Sequence, residues 1–308
     1  MIVASIDIGT NTVLLLIAEV DTKKSKLSPI FNEYRLPRIG QDTKKSGTIR
    51  PDKLKLLFEV LSEYESIIKK HNCNKVIVTG TYALRIAKNS NDIYNEIKRR
   101  FNYELNIITG NLEAEYAYLG AISGFNGINS AMVIDIGGGS TELIFGDESK
   151  INFKTSIQIG SVSATEQFFQ HSPPLNAEIQ KFREHLKTLI PLEQTNSISD
   201  KVIAVAGTAT TLGCMNQNLK EFSETRVEGS SLNRNDLNNL INEMCQLTAP
   251  EILNNYGQVM LGREDIILVG AIILGVIMDS FGIEKVILSS RGIRYGAIVH
   301  WLNNSGQS

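Results

Sequence analysis

Two segments 128 residues apart share one pattern, and that repeat restricts the fold more than any other feature of the chain. Ala4-Ser5-Ile6-Asp7-Ile8-Gly9-Thr10-Asn11-Thr12-Val13-Leu14-Leu15-Leu16-Ile17 lines up with Met132-Val133-Ile134-Asp135-Ile136-Gly137-Gly138-Gly139-Ser140-Thr141-Glu142-Leu143-Ile144-Phe145. In each, an apolar run ends in Asp-Ile-Gly, a small polar turn follows, and a second apolar run leaves it. A β-hairpin with glycine at its tip is the natural local structure. The offset is too long for a solenoid repeat and suits two similar domains. The 308 residues suffice for both, at about 150 per domain.

Around the hairpins, short apolar runs at 75–79, 105–108, 202–206 and 285–288 read as strands. Between them, residues 52–70 place Leu54, Leu57, Leu61, Tyr64 and Ile68 at helical spacing, with Pro51 just ahead. Asn176 is the expected cap of a helix over 177–190 that Pro191 stops. Strands alternating with helices give layered α/β domains, each a mixed sheet flanked by helices. The expected domains are 1–124, with 297–308 packing back on it, and 125–296, the crossing falling in Gly124-Phe125-Asn126-Gly127. Residues 171–174 and 193–200 read as surface loops, and the active site is expected in the cleft between the domains.

Composition excludes several functions. Lys and Arg total 31 against 33 Asp and Glu, a net charge of -2, so no global field draws duplex nucleic acid or an anionic membrane. Hydrophobic residues at 42% and charged residues at 21% match a soluble globular chain rather than a disordered one. Cys73, Cys214 and Cys245 lack metal-type spacing and are expected as buried, reduced thiols. His71, His171, His185 and His300 form no zinc-hydrolase pattern. The first seven residues carry no basic segment and reach an acid, which speaks against a secretory leader. The apolar run 266–278 falls short of the roughly 20 residues that span a bilayer and reads as a buried helix. Cytoplasmic residence is the expectation.

The chemistry concentrates at Asp135-Ile136-Gly137-Gly138-Gly139-Ser140-Thr141-Glu142. Three successive glycines permit φ > 0 and remove every Cβ, so consecutive N–H groups can converge on an anion. No lysine follows them and a strand-like run replaces the helix, so this is no Walker loop. The bland alternative is a tight hairpin that needs glycine only for geometry. Asp7 and Asp135 occupy equivalent strand ends, where they either cap a turn or face a bound phosphate. Two carboxylates facing a phosphate repel it unless a cation intervenes, which implies Mg²⁺ held partly through water.

These residues resemble the family that includes actin, sugar kinases and the seventy-kilodalton chaperones. More narrowly, they resemble the exopolyphosphatase and guanosine pentaphosphate phosphatase family. The narrower resemblance rests on Asp7 through Thr12, Thr81-Tyr82-Ala83-Leu84-Arg85, Thr109-Gly110-Asn111-Leu112-Glu113-Ala114, Asp135 through Glu142, Gly207-Thr208-Ala209-Thr210-Thr211, and Arg291-Gly292-Ile293-Arg294-Tyr295-Gly296. It implies two actin-like, ribonuclease H-like domains. It makes Glu113 the general base or water-positioning carboxylate, a residue that by itself reads as a first-turn helix acid. It makes Asp135 and Glu142 catalytic, and Asp7, Asp135 and Glu142 the metal ligands. Phosphate contacts fall to Thr10, Asn11, Thr12, Arg38, Arg85, Gly137, Gly138, Gly139, Ser140, Gly207 and Thr208. Arg85 reads equally as a surface helix arginine, and Arg38 as part of a solvated basic loop.

Leu112, Ser163 and Tyr295 depart from the family pattern, and the chain ends soon after Gly296, so a shorter substrate channel without further helical domains is expected. The function that follows is Mg²⁺-dependent removal of terminal orthophosphate from inorganic polyphosphate, with Mn²⁺ or an added monovalent cation as alternatives. Guanosine pentaphosphate is the rival substrate. An ATP-dependent kinase or ATPase and a non-catalytic polyphosphate sensor are rivals from other classes. A homodimer is a further candidate; no nucleic-acid or membrane partner is expected.

Overall fold

The computed structural model describes residues 1–21, 26–125, 127–192 and 200–305. They form two compact units, Met1–Ser123 with the chain from Arg291 onward, and Gly124–Ser290.

In the first unit, β1 (Ile2–Ile8), β2 (Val13–Asp21) and β3 (Lys26–Arg35) run as an antiparallel meander, and β4 (Lys75–Gly80) and β5 (Leu105–Ile107) extend the sheet in parallel, giving the order β3-β2-β1-β4-β5. The helices are α1 (Thr43–Ser46), α2 (Pro51–Lys70), α3 (Tyr82–Ile86), α4 (Ser90–Phe101) and α5 (Gly110–Ile122). Ala4, Ile6 and Ile8 pack against Leu57, Leu61, Tyr64 and Ile68 of α2. On the other face, Val3, Leu16, Ala18 and Val20 meet Tyr295, Ile298 and Leu302. Burial on both faces is why β1 and β2 read as unbroken apolar runs.

The second unit repeats the plan. The meander β6 (Ala131–Ile136), β7 (Thr141–Gly146) and β8 (Ile151–Ile157) is extended by parallel β9 (Lys201–Val205) and by β11 (Lys285–Leu288), with β10 (Ser231–Asn233) added antiparallel at the edge. Its helices are α6 (Ser161–Phe168), α7 (Asn176–Leu189), α8 (Ala206–Asn216), α9 (Glu224–Val227), α10 (Arg234–Met244), α11 (Ala249–Tyr256) and α12 (Ile267–Phe281). Two mixed sheets of one strand order, each flanked by helices, are the α/β architecture the repeat called for. Helix α13 (Ile293–Ser305) packs in the first unit. The return therefore comes at Arg291 rather than after Gly296. Gly296 is pressed on the Tyr116 backbone of α5, where an added Cβ would stand 1.7 Å from the carbonyl oxygen.

Several expectations shift. Asn176 is the first residue of α7 rather than its cap; the Glu178 carboxylate instead accepts from the Leu175 N–H at 2.9 Å. Only Cys214 is fully buried; Cys73 and Cys245 are half-buried, and all three are free thiols. The run 266–278 is indeed a buried helix, ended by Gly282 at φ 63°. Among the described residues no helix is long and apolar enough to cross a membrane. Residues 193–199 and Asn126, both placed in loops from the sequence, lie outside the described residues.

Candidate active site

Both repeated hairpins end in a turn whose carbonyls are tied back into the protein. In the second unit, Gly137 N–H donates to Ser140 O at 3.0 Å and closes the turn. Gly137 O accepts from Ser161 N–H, and Gly138 O from the N–H groups of Val162 and Ser163, at 2.8 to 3.0 Å. These donors are the first residues of α6, so the helix N-terminus satisfies the turn's acceptors. The N–H groups of Gly138, Gly139 and Ser140 donate no hydrogen bond among the described residues. With these carbonyls tied back and three amides without an acceptor, the turn has the backbone pattern from which anion-binding nests are built.

The reason for glycine differs from the expected one. None of Gly137, Gly138 or Gly139 has positive φ. The backbone of α6 lies so close that a Cβ on Gly160 would stand 2.6 Å from Gly137 O, Gly138 C and Gly139 N. Close approach of two backbones thus requires glycine at 160, while a Cβ on Gly137 would meet only Ser140 O of its own turn, at 3.2 Å.

The first unit builds the same device from another partner. Gly9 N–H donates to Thr12 O at 3.0 Å, Thr10 O accepts from Gly40 N–H at 2.8 Å and Asn11 O from Arg38 N–H at 3.1 Å. Gly40 is pressed on Thr10, whose Cγ2 would lie 2.1 Å from an added Cβ. Arg38 holds φ 53°, a left-handed conformation that disfavours side chains, so the segment is locked against the turn at some cost in strain. Arg38 is thus tied by its backbone to the turn, which distinguishes it from a solvated basic loop.

The rows of side chains at the two strand ends differ. In the second unit, Ser156, Glu142 and Asp135 stand abreast across β8, β7 and β6. Asp135 is 3% exposed and Glu142 1%, and the Ser156 hydroxyl donates to Glu142 Oε1 at 2.6 Å. The matching row in the first unit is Tyr34, Leu14, Asp7 and Thr79, with a single carboxylate. Two neighbouring buried carboxylates repel unless a proton or cation joins them. Hard oxygen donors side by side suit a divalent cation that keeps water ligands. Among the described residues no three His, Cys, Asp or Glu side chains cluster tightly enough to hold a metal, so the expected set of Asp7, Asp135 and Glu142 is not found as one group.

Glu113 lies in the first turn of α5, whose cap Thr109 accepts from Leu112 N–H at 3.3 Å. It is 5% exposed, and Arg85 Nη1 donates to its Oε2 at 2.8 Å and to Ile108 O at 2.8 Å. Burial pushes the Glu113 carboxyl above the usual glutamate range, against the pull of Arg85. Arg85 is therefore neither a solvated helix arginine nor a guanidinium fork free for phosphate. One terminal nitrogen holds the glutamate, and Nη2 is buried without a hydrogen-bond partner. The Tyr82 ring lies 5.7 Å from the guanidinium carbon.

Gly207 and Thr208 are the second and third residues of α8, whose first residue Ala206 holds φ 68°. The Arg263 guanidinium rests on Gly207, its Nη1 1.9 Å from where a Cβ would be. Arg263 carries no motif of its own in the sequence and was not anticipated. Ser156 also escaped notice, although two-residue alternation along a third strand opposite Glu142 could have found it.

Comparison with known proteins follows the same lines. Residues 16–305 match the model of the Ppx/GppA phosphatase family. A bifunctional 3-dehydroquinate synthase/phosphatase of Fusobacterium nucleatum is 30% identical over an alignment covering 98% of this chain and 46% of that protein, so the chain spans about half its length. Exopolyphosphatase 2 of Mycobacterium tuberculosis is 27% identical, with 96% of each chain aligned. A crystal structure of the Aquifex aeolicus member of the Ppx/GppA family superposes with a TM-score of 0.84 at 30% identity, covering 100% of this chain and 99% of the other.

Proposed function

The chain belongs to the Ppx/GppA phosphatase family, whose chemistry is hydrolysis of phosphoanhydrides, and on that premise we propose that it removes terminal orthophosphate from inorganic polyphosphate. The observation that carries this reading is the Gly138 to Ser140 turn, with its carbonyls tied back and its amides unused, beside the buried Asp135 and Glu142 pair.

Phosphoryl oxygens are received by the amides of Gly138, Gly139 and Ser140 in the second unit, and the Thr10-Asn11-Thr12 turn that Arg38 and Gly40 hold in place is the first unit's turn of the same kind. Donors fixed in advance cost no reorganisation as charge develops, and one such donor commonly contributes ~10²–10³ in rate. Glu113 accepts a proton from water as the water oxygen bonds to phosphorus and the bridging P–O bond breaks, leaving the shortened chain with that oxygen. Arg85 keeps the Glu113 carboxylate aimed and opposes the upward pull of burial on its titration. Gly207, Thr208 and Arg263 form a further phosphate contact in the second unit. Asp135 and Glu142, steadied by Ser156, would hold Mg²⁺ with water completing its shell, and Asp7 offers the first unit's equivalent carboxylate. When bound, the ion neutralises charge on the phosphoryl oxygens.

The test is phosphate release with Mg²⁺, measured side by side from polyphosphates of several lengths and guanosine pentaphosphate, without added nucleotide. Release from polyphosphate that falls by ~10²–10⁴ in Glu113→Gln, with the fold intact, is expected. Preferential release from guanosine pentaphosphate reassigns the substrate. ADP formation that requires an acceptor, or near wild-type turnover in Glu113→Gln, refutes the mechanism.

A further inference from the structure

The Arg291 to Gly296 segment contributes nothing to the reaction just described, yet it holds a charge the first unit does not balance. Arg294 is 8% exposed. Its Nε donates to Asn32 Oδ1 at 3.2 Å, and its guanidinium carbon lies 5.1 Å from the centre of the Tyr295 ring. Neither neighbour carries a negative charge. Among the described residues no carboxylate pairs with Arg294. The acids that share its surroundings near Tyr64, Glu33 and Glu63, are both taken by Arg35. Arg291, 5.2 Å from the same Tyr295 ring, adds a second positive charge.

A guanidinium taken out of water without a counter-charge costs several kcal/mol, and arginine does not escape by losing its proton. Among the described residues its terminal nitrogens make no hydrogen bond, and they are not among the sealed, unsatisfied polar atoms, so they retain contact with solvent. Asn32 fixes the fork through Nε and leaves four N–H donors at that opening. Tyr295, fully buried and receiving a hydrogen bond from Asn32 Nδ2 at 3.0 Å, prevents the side chain from swinging away. Asn32 stands in register with Leu16 and Ser5, on the face of the sheet that carries Asp7 two residues further along β1, so Arg294 lies on the face that bears the repeated aspartate.

We propose that Arg294, oriented by Asn32 and Tyr295, is an anion-binding residue of the first unit that receives phosphoryl oxygens of a polyphosphate chain. The ligand class rests on the hydrolase reading above; the uncompensated charge does not.

The experiment titrates the full-length chain, in wild-type, Arg294→Met and Arg294→Lys forms, with inorganic tripolyphosphate by calorimetry, and records thermal unfolding with and without it. Loss of a charge-assisted contact predicts roughly ten- to a hundredfold weaker binding in Arg294→Met and an intermediate value in Arg294→Lys. Without ligand, Arg294→Met should unfold at the wild-type temperature or above it, because an unpaired buried charge has gone. Undiminished affinity in Arg294→Met overturns the proposal, as does equal binding of sulfate at matched ionic strength. Wild-type protein that binds tripolyphosphate through Arg294 but releases no phosphate refutes the hydrolase reading and leaves this one standing.

Discussion

Replacing Arg85 by Met tests the Glu113 environment through stability, independently of turnover. The ion pair closes at 2.8 Å with the two side chains 21% and 7% exposed. Coulomb's law at that distance with an effective dielectric near 20 gives an attraction of about 6 kcal/mol, and desolvation of both ions offsets part of it. Removing one partner of a buried pair costs about 3–5 kcal/mol, and the partial exposure of Arg85 places this pair near the lower end, about 3 kcal/mol. At ~2–4 °C per kcal/mol, the transition of the first unit should fall by about 6–12 °C at neutral pH. The pH dependence carries the sharper prediction. Glu113 already titrates above its unfolded value, so its contribution to stability is fully present below the ordinary glutamate pKa and is lost as pH rises through the raised folded value. Arg85→Met removes the groups that hold the folded value down and leaves burial alone, so the loss extends to higher pH. The difference in unfolding temperature between wild type and variant should therefore be large at pH 7.5 and shrink towards pH 4, where Glu113 is protonated. Adding Glu113→Gln to the variant should restore most of the loss. Thermal unfolding across that range is the assay; an equal deficit at both pH values, or no rescue by the double substitution, would show that the pair is not the source.

Other consequences are as direct. Phosphate release should decline on the acid side at a pH above the ordinary glutamate pKa of about 4.3, since Glu113 must be ionised to accept a proton and burial raises its titration; a limb at or below that pH in a rate profile would contradict the assignment. Gly160→Ala drives a methyl into the Gly137 to Gly139 turn, at a cost of about 1–3 kcal/mol, and should raise KM for polyphosphate more than it lowers the unfolding temperature of the other unit. Ser156→Ala removes the 2.6 Å donor to Glu142 and should weaken activation by Mg²⁺ about tenfold in a metal titration, with substrate affinity at saturating metal little changed.

The parts of this fold legible in the sequence were those repeated or periodic. The Asp-Ile-Gly repeat fixed the pairing of Asp7 with Asp135 and of Gly9 with Gly137, because a hairpin's register follows from its own turn. The apolar spacing of 54 to 68 fixed the buried face of α2, since 3.6-residue periodicity is local. What stayed hidden depends on contacts between segments far apart in the chain. The glycines of the second turn invite an explanation by positive φ that their torsions do not bear out, and what the sequence does not reveal is α6, some two dozen residues later, whose N-terminus occupies the turn's carbonyls and makes Gly160 lie on its backbone. The pairing of Arg85 with Glu113 joins α3 to α5 across 28 residues, and no spacing rule relates them. The asymmetry of the two hairpins is the most instructive case. Both carry the same aspartate at the same place, but the residue opposite is Leu14 in one and Glu142 in the other. A repeated scaffold thus supplies two turns whose carbonyls are tied back, while only one presents paired carboxylates. The first unit instead holds a glutamate in the first turn of a helix and arginines fixed by neighbours from elsewhere in the chain. Duplication explains the backbone; divergence of the residues facing it explains how two like units can do unlike work.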